Sequence, residues 1–366
     1  MARLGSFLGI IAALALAALA AISWGGTATV RAPETAPPSA LATLPAAPSP
    51  SPALPNVPPS APRRAAPEPS VPVSAPQAPP AASVLPSDGG DLDAAASALR
   101  AALVNILCYA SAGGPLHSIS GSGVIIDSKG IILTNAHVAQ YFLLADRGVS
   151  CTIRTGSPAA DAYDAALAYF PAAWADANAS VLTEAAPAGT GEHDYALLAV
   201  TKSATGAPLP AVFPSVPLAA APLEAGAPVV IASYGAQFLE TNQIQSALFP
   251  TLVFGSVKDV YTFGTNTIDV LALGGSAAAQ EGSSGGGVAD ARGALAGTIT
   301  TSTVSGSTAT RSLDAITASY IRADYASQTG SALDLLLGES TTTAVAAFAP
   351  SIPALEAVLT AALPSS

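Results

Sequence analysis

Val124-Ile125-Ile126-Asp127-Ser128-Lys129-Gly130-Ile131-Ile132-Leu133 sets two short apolar runs around a polar turn that ends in glycine. Runs this short, rich in β-branched residues and split by an Asp-to-Gly turn, read as a β-hairpin. Further strand candidates lie downstream at 196–200, 229–233, 251–254, 267–271 and 295–300, with Gly and Pro turns between them. Many short strands and few helical stretches predict an all-β barrel or sandwich. Two helices are expected. Residues 91–103 carry acids in their first turn, which suits a helix N-terminus, and 312–325 reads as a closing helix.

The chain has 366 residues, half of them hydrophobic and 10% charged, with a net charge of −11. That length holds one domain of about 200–250 residues plus extras. From residue 91 onward there are 21 acidic and 9 basic residues, and no basic run or basic-aromatic stripe. Such a surface repels phosphate backbones, so a nucleic-acid partner is not expected. Residues 1–30 begin with Arg3 and continue as an uncharged apolar run over 4–24, a signal peptide or a membrane anchor. Either reading puts the remainder outside the cytoplasm, because the positive end stays in. Ala18-Leu19-Ala20 is a candidate cleavage site in an alanine-rich stretch.

Residues 31–90 hold 18 of the 32 prolines and read as a disordered, polyproline-like linker. Fully extended it would reach on the order of 150 Å. A spacer of that length makes sense when one end is fixed to a membrane, which favours the uncleaved anchor. The composition then assigns 91–330 to the folded domain and 331–366 to an Ala-rich tail without an assigned role.

Three segments carry chemistry. Leu133-Thr134-Asn135-Ala136-His137-Val138 runs a strand into a turn that presents an imidazole. His193-Asp194-Tyr195-Ala196-Leu197-Leu198 places an acid at the mouth of an apolar strand. Gln280-Glu281-Gly282-Ser283-Ser284-Gly285-Gly286-Gly287 rings a serine with glycines. A serine hydroxyl needs a base to take its proton during attack, and imidazole titrates near ambient pH. A carboxylate fixes the ring tautomer and stabilises the imidazolium. The developing oxyanion needs backbone N–H donors, which glycines allow to point inward. Taken singly, each segment is ordinary. Together they occur in the order His, Asp, Ser within one β-rich block, with gaps of 57 and 90 residues.

The stretch from Leu103 to Tyr325 resembles the trypsin-like serine peptidases of the chymotrypsin/HtrA superfamily. Thr134-Asn135-Ala136-His137 is similar to that family's T-A-A/N-A-H, Asp194-Tyr195-Ala196-Leu197-Leu198 to D-[ILY]-A-L-[LV], and Gly282-Ser283-Ser284-Gly285-Gly286 to G-[DN]-S-G-G. The resemblance implies two six-stranded antiparallel β-barrels with the site in the cleft between them. It implies a triad of His137, Asp194 and Ser284, with an oxyanion hole on the 282–284 backbone, where the Gly282 and Ser284 amides donate and Ser283 lines the turn. It places the floor of the first substrate pocket at Ala278 and its wall along 298–302, including Thr298 and Thr300. With no carboxylate at that floor, a small or apolar side chain is expected before the cleaved bond. Glu281, near the rim, would disfavour acidic substrates.

The sequence departs from the family at Ser283, where trypsin carries an acid that pairs with a freed N-terminus. Activity without N-terminal processing is therefore expected. The block after Tyr325 is too short for a PDZ domain. Cys108 and Cys151 flank the His motif, and outside the cytoplasm they are expected to pair rather than stay free thiols. Neither sits in a glycine-rich turn suited to a Cys nucleophile. The absence of CxxC and HExxH gives no support to a metal, and no cofactor is expected. His117 reads as a loop residue and His193 as a cap on the strand presenting Asp194. The leading expectation is an endopeptidase acting on polypeptides outside the cytoplasm. The rivals are an inactive trypsin-like fold that binds peptides and a wall-associated structural protein.

Overall fold

The computed structural model describes residues 91–363, apart from 112, 113, 115, 184–189, 265, 303 and 304. The expected anchor (1–30) and Pro-rich linker (31–90) lie outside the described residues.

Asp91 caps the first helix, α1 (Leu92–Ala102), accepting from the amides of Asp93 and Ala94. Ala95, Ala96, Leu99 and Ala102 recur at helical spacing and form its buried face. Then β1 (Leu103–Tyr109), β2 (Ile119–Ile125), β3 (Ile131–Thr134), β4 (Ser150–Gly156), β5 (Ala159–Tyr169) and β6 (Ala196–Ser203) close into an antiparallel barrel in the order β1-β2-β3-β6-β5-β4. The hairpin read from the sequence is β2–β3, with Val124 opposite Leu133 and Ile125 opposite Ile132. Its turn forms because the Asp127 carboxylate accepts from the Lys129 and Ile131 amides while Gly130 takes φ +100°.

The second half contains β7 (Pro228–Ser233), β8 (Thr251–Ser256), β9 (Asp259–Tyr261), β10 (Val270–Ala272), β11 (Gly287–Asp290), β12 (Leu295–Ser302) and β13 (Leu313–Thr317). Their order is β8-β7-β11-β12-β13-β10-β9. The two outer strands, β8 and β9, are halves of one segment bent at Val257-Lys258. The Val257 amide donates to Ala227 beside β7, and the Lys258 amide donates to Ala272 on β10. The bend carries one chain segment from one edge of the sheet to the other, so seven short strands do the work of six. The mainly β architecture with one closed barrel and a second curled sheet is the double-barrel arrangement expected.

α1 contacts β2 on one side and β7, β8 and β11 on the other, so it lies at the joint between the halves. Short helices α2 (Ala136–Ala139), α3 (Ala172–Asn178) and α4 (Thr241–Ser246) sit in loops. The expected closing helix over 312–325 is corrected. Its first part is strand β13, where Leu313, Ala315 and Ile316 enter the core, and α5 (Ala318–Thr329) starts after Thr317, whose Oγ1 accepts from the Tyr320 amide. The Ala-rich tail is folded as well. α6 (Leu333–Gly338) packs on α5, whereas α7 (Thr341–Phe348) and α8 (Ile352–Ala361) pack on the first barrel, α7 against β5 and β6 and α8 against α3. By length and composition alone, the run Thr341–Ala361 is apolar enough to cross a membrane. Here it is two helices joined by a short 3-10 turn.

Cys108 and Cys151 form a disulfide between directly opposed positions of β1 and β4, 43 residues apart in sequence. The bond ties the strands whose connection contains the His motif.

Candidate active site

β3 ends at Thr134, and the chain turns at once into α2, which carries His137 at the barrel rim. β3 pairs Thr134 with Ala196, so the segment entering β6 passes beside that turn. Asp194 on this segment is 5% exposed, and its carboxylate accepts three hydrogen bonds. His137 Nδ1 approaches Oδ2 at 2.7 Å, the His137 amide donates to Oδ1 at 2.9 Å, and Thr300 Oγ1 donates to Oδ2 at 2.7 Å. From the other side, Asn135 Nδ2 donates to the Asp194 carbonyl at 2.8 Å. Burial pushes the His137 imidazole down, but the Asp194 charge and hydrogen bond outweigh it and hold the pKa above the ordinary 6.5. Burial likewise pushes Asp194 up. The His137 charge and the donors from His137 and Thr300 reverse that and hold the carboxyl below its usual 3.8.

The serine-bearing loop belongs to the second half but docks on the first. Ser122, fully buried on β2, makes the junction: its amide donates to the Ser284 carbonyl at 2.7 Å, and its Oγ donates to the Gly282 carbonyl at 2.7 Å. The same Oγ accepts from the Tyr234 amide at 2.8 Å, and the Ser122 carbonyl accepts from Thr134 Oγ1, three residues before His137. Gly285 lies so close to Ser122 and Thr134 that any Cβ there would strike them. Gly282 has φ +89°, and a Cβ would meet the Tyr234 carbonyl at 2.7 Å. The sequence needs glycine at both positions.

Within this loop the amides divide. Ser283 N donates to Gln280, Gly285 N to Ile299 and Gly286 N to Ser283. Among the described residues, the amides of Gly282 and Ser284 have no acceptor. Ser283 is 1% exposed, and its hydroxyl is held by Ser233 Oγ at 2.9 Å. Ser284 is half-buried, and no hydrogen bond joins its hydroxyl to His137 among the described residues.

Residues 121–297 match the family profile described as the trypsin-like peptidase domain. The chain carries a trypsin-like peptidase domain. Among solved structures, the Rv3671c protease from M. tuberculosis in its active form is 20% identical, with a TM-score of 0.41, covering 72% of this chain and 95% of that one. The inactive form of the same protease is 20% identical, with a TM-score of 0.40, covering 66% of this chain and 98% of that one. No curated protein sequence matches the chain.

Of the remaining expectations for the peptidase domain, Ala278 is fully buried in an apolar cluster with Leu313 and Ile299. Thr298 is also buried and donates to the Gly286 carbonyl at 3.1 Å. Thr300, expected in the pocket wall, is buried on β12, and its hydroxyl donates to Asp194. His117 is an exposed loop residue, as expected. His193 does more than cap a strand: it takes φ +58° and contacts α5. Ser122 was visible in Gly121-Ser122-Gly123, but only its long-range partners reveal its role. Among the described residues, no group of three His, Cys, Asp or Glu could hold a metal ion.

Proposed function

We propose that the protein is a serine endopeptidase of extracytoplasmic proteins, with His137, Asp194 and Ser284 as its triad. Ser284 Oγ attacks the scissile carbonyl while His137 Nε2 accepts its proton, and the imidazolium then protonates the leaving amine. A water, deprotonated by the same imidazole, hydrolyses the acyl-enzyme and returns the proton to Ser284. Asp194 stays ionised throughout and holds the Nδ1–H tautomer. The developing oxyanion binds to the Gly282 and Ser284 amides. The observation that carries the reading is the division of amides in the 282–286 loop, which leaves open the serine's own amide and that of Gly282. Catalytic hydrogen bonds are often long in apo structures and tighten with substrate, so a Ser284–His137 contact formed on binding fits the mechanism.

Ser283 supports self-sufficiency. Its hydroxyl is fixed by Ser233, so the turn needs no ion pair from a processed N-terminus. The apolar surroundings of Ala278 favour a small or apolar residue before the cleaved bond. The Cys108–Cys151 bond favours an oxidising compartment, and the N-terminal apolar run provides the tether to the membrane.

The test is labelling of the purified full-length protein with a fluorophosphonate at pH 7.5. The reading expects one labelled serine and complete loss of labelling in Ser284→Ala. A folded, unlabelled wild type would favour the peptide-binding alternative.

A further inference from the structure

The catalytic carboxylate is gripped from behind. Asp324 on α5 is 9% exposed and divides its two oxygens between the residues on either side of Asp194 in sequence. Oδ1 faces His193 Nδ1 at 2.9 Å, and Oδ2 accepts from the Tyr195 hydroxyl at 2.9 Å. Gln328, one turn further along α5, donates to Oδ2 at 2.5 Å, and the Tyr320 hydroxyl, one turn earlier, accepts the His193 amide at 3.0 Å. The side chain of Asp194 goes to His137 and Thr300, while those of its two neighbours go to α5.

Two features separate this arrangement from ordinary helix packing. A buried carboxylate costs solvation that an apolar residue at position 324 would not, so its presence needs a geometric reason. His193 also has a left-handed backbone, which a non-glycine residue adopts only when its surroundings impose it. Its amide and its ring are both held by α5. Tyr195 is fully buried and stacks on Tyr169 at 5.8 Å, which fixes the other flank.

We propose that α5 is a positioning brace for the triad: Asp324, through His193 and Tyr195, sets where the Asp194 carboxylate stands beneath His137. The inference rests on the peptidase reading above. Asp324 touches no reacting atom. The groups that face it are His193 from the β6 approach, Tyr195 from β6 itself, and Tyr320 and Gln328 from α5, with Tyr169 and Tyr325 close by.

The experiment compares full-length wild type with Asp324→Ala, Asp324→Asn and Tyr195→Phe. It measures fluorophosphonate labelling rates across pH 5–9, kcat and KM on fluorescent casein, the fraction of labelled sites and the Tm. The brace predicts that Asp324→Ala lowers kcat and the labelling rate by about 10–100-fold, as displacements of order 1 Å do. KM should change by less than about twofold, and the acid limb should move to lower pH as the Asp194–His137 contact loosens. Asp324→Asn keeps an acceptor oxygen and should recover most of the rate. Tyr195→Phe keeps the ring stack and should fall between the two. If Asp324→Ala keeps its rate and pH limb, or if its loss only tracks a reduced fraction of labelled sites with Asn as poor as Ala, the brace is refuted while the peptidase reading stands. An unlabelled wild type overturns both.

Discussion

The two halves of the peptidase domain prepare their catalytic parts differently. The first barrel is stapled by a disulfide, backed by α7 and α8, and holds His137 and Asp194 already hydrogen-bonded at 2.7 Å. The second half offers Ser284 on a loop that admits only glycine at 282 and 285, because the neighbouring backbone is too close for a Cβ. The proposed base and acid thus meet on one barrel, with a single donor, Thr300, reaching Asp194 from the second half. The proposed nucleophile, Ser284, is set by docking, chiefly through Ser122 and the α1 joint. Changes in the first barrel should alter proton transfer, whereas changes at the junction should alter the approach of the serine.

The sharpest separation is expected from Asp194→Asn, which leaves the loop of the second half untouched but favours the wrong imidazole tautomer. kcat should fall about 10⁴-fold, measured on casein with the mutant's fold checked by circular dichroism. In the wild type, His137 must be neutral to act as a base, so kcat/KM should rise with pH and reach half its plateau above pH 6.5. Asp194→Asn removes the charge that raises that pKa, so the residual activity should show its limb at lower pH. Ser122→Ala deletes the hydroxyl that bridges Gly282 and Tyr234. It should lower kcat by about 10–100-fold and stability by about 1–3 kcal/mol, with the His137 limb unmoved. That combination would place the damage at the docking step. Replacing both cysteines by serine should lower stability by about 2–4 kcal/mol in chemical denaturation while leaving kcat at 25 °C nearly unchanged. Ser283→Ala, which breaks only the bond to Ser233, should cost about 1 kcal/mol and slow labelling least.

The sequence was most readable where chemistry restricts residue type. The Asp127–Gly130 turn, the strand leading to His137 and the glycines around Ser284 each have a local physical cause, and each stands where its pattern put it. What stayed hidden is long-range. β1, β4 and β5 lack clean alternation, since several of their residues are buried on both faces of a closed barrel. β13 is hidden because Leu313, Ile316, Tyr320 and Ile321 keep helical spacing across its junction with α5. The Ala-rich tail has few large apolar residues, so its packing onto β5 and β6 shows only in three dimensions. Within the site, the place of Thr300 along β12 is legible in the sequence, whereas its hydrogen-bond partner lies 106 residues away. Asp324 was unreadable for the same reason: nothing near it in sequence tells that it meets His193 and Tyr195.

In the proposed site the His137 imidazole reaches the Ser284 oxygen while the open amides of Gly282 and Ser284 bind the oxygen of the group that Ser284 attacks. A crystal structure of the fluorophosphonate adduct tests it directly. Phosphorus should be bonded to Ser284 Oγ, with the phosphoryl oxygen about 2.7–3.1 Å from both amides and His137 Nε2 within hydrogen-bond reach of the adduct. Phosphorus on Ser283 or another residue, or a phosphoryl oxygen turned away from both amides, would contradict it.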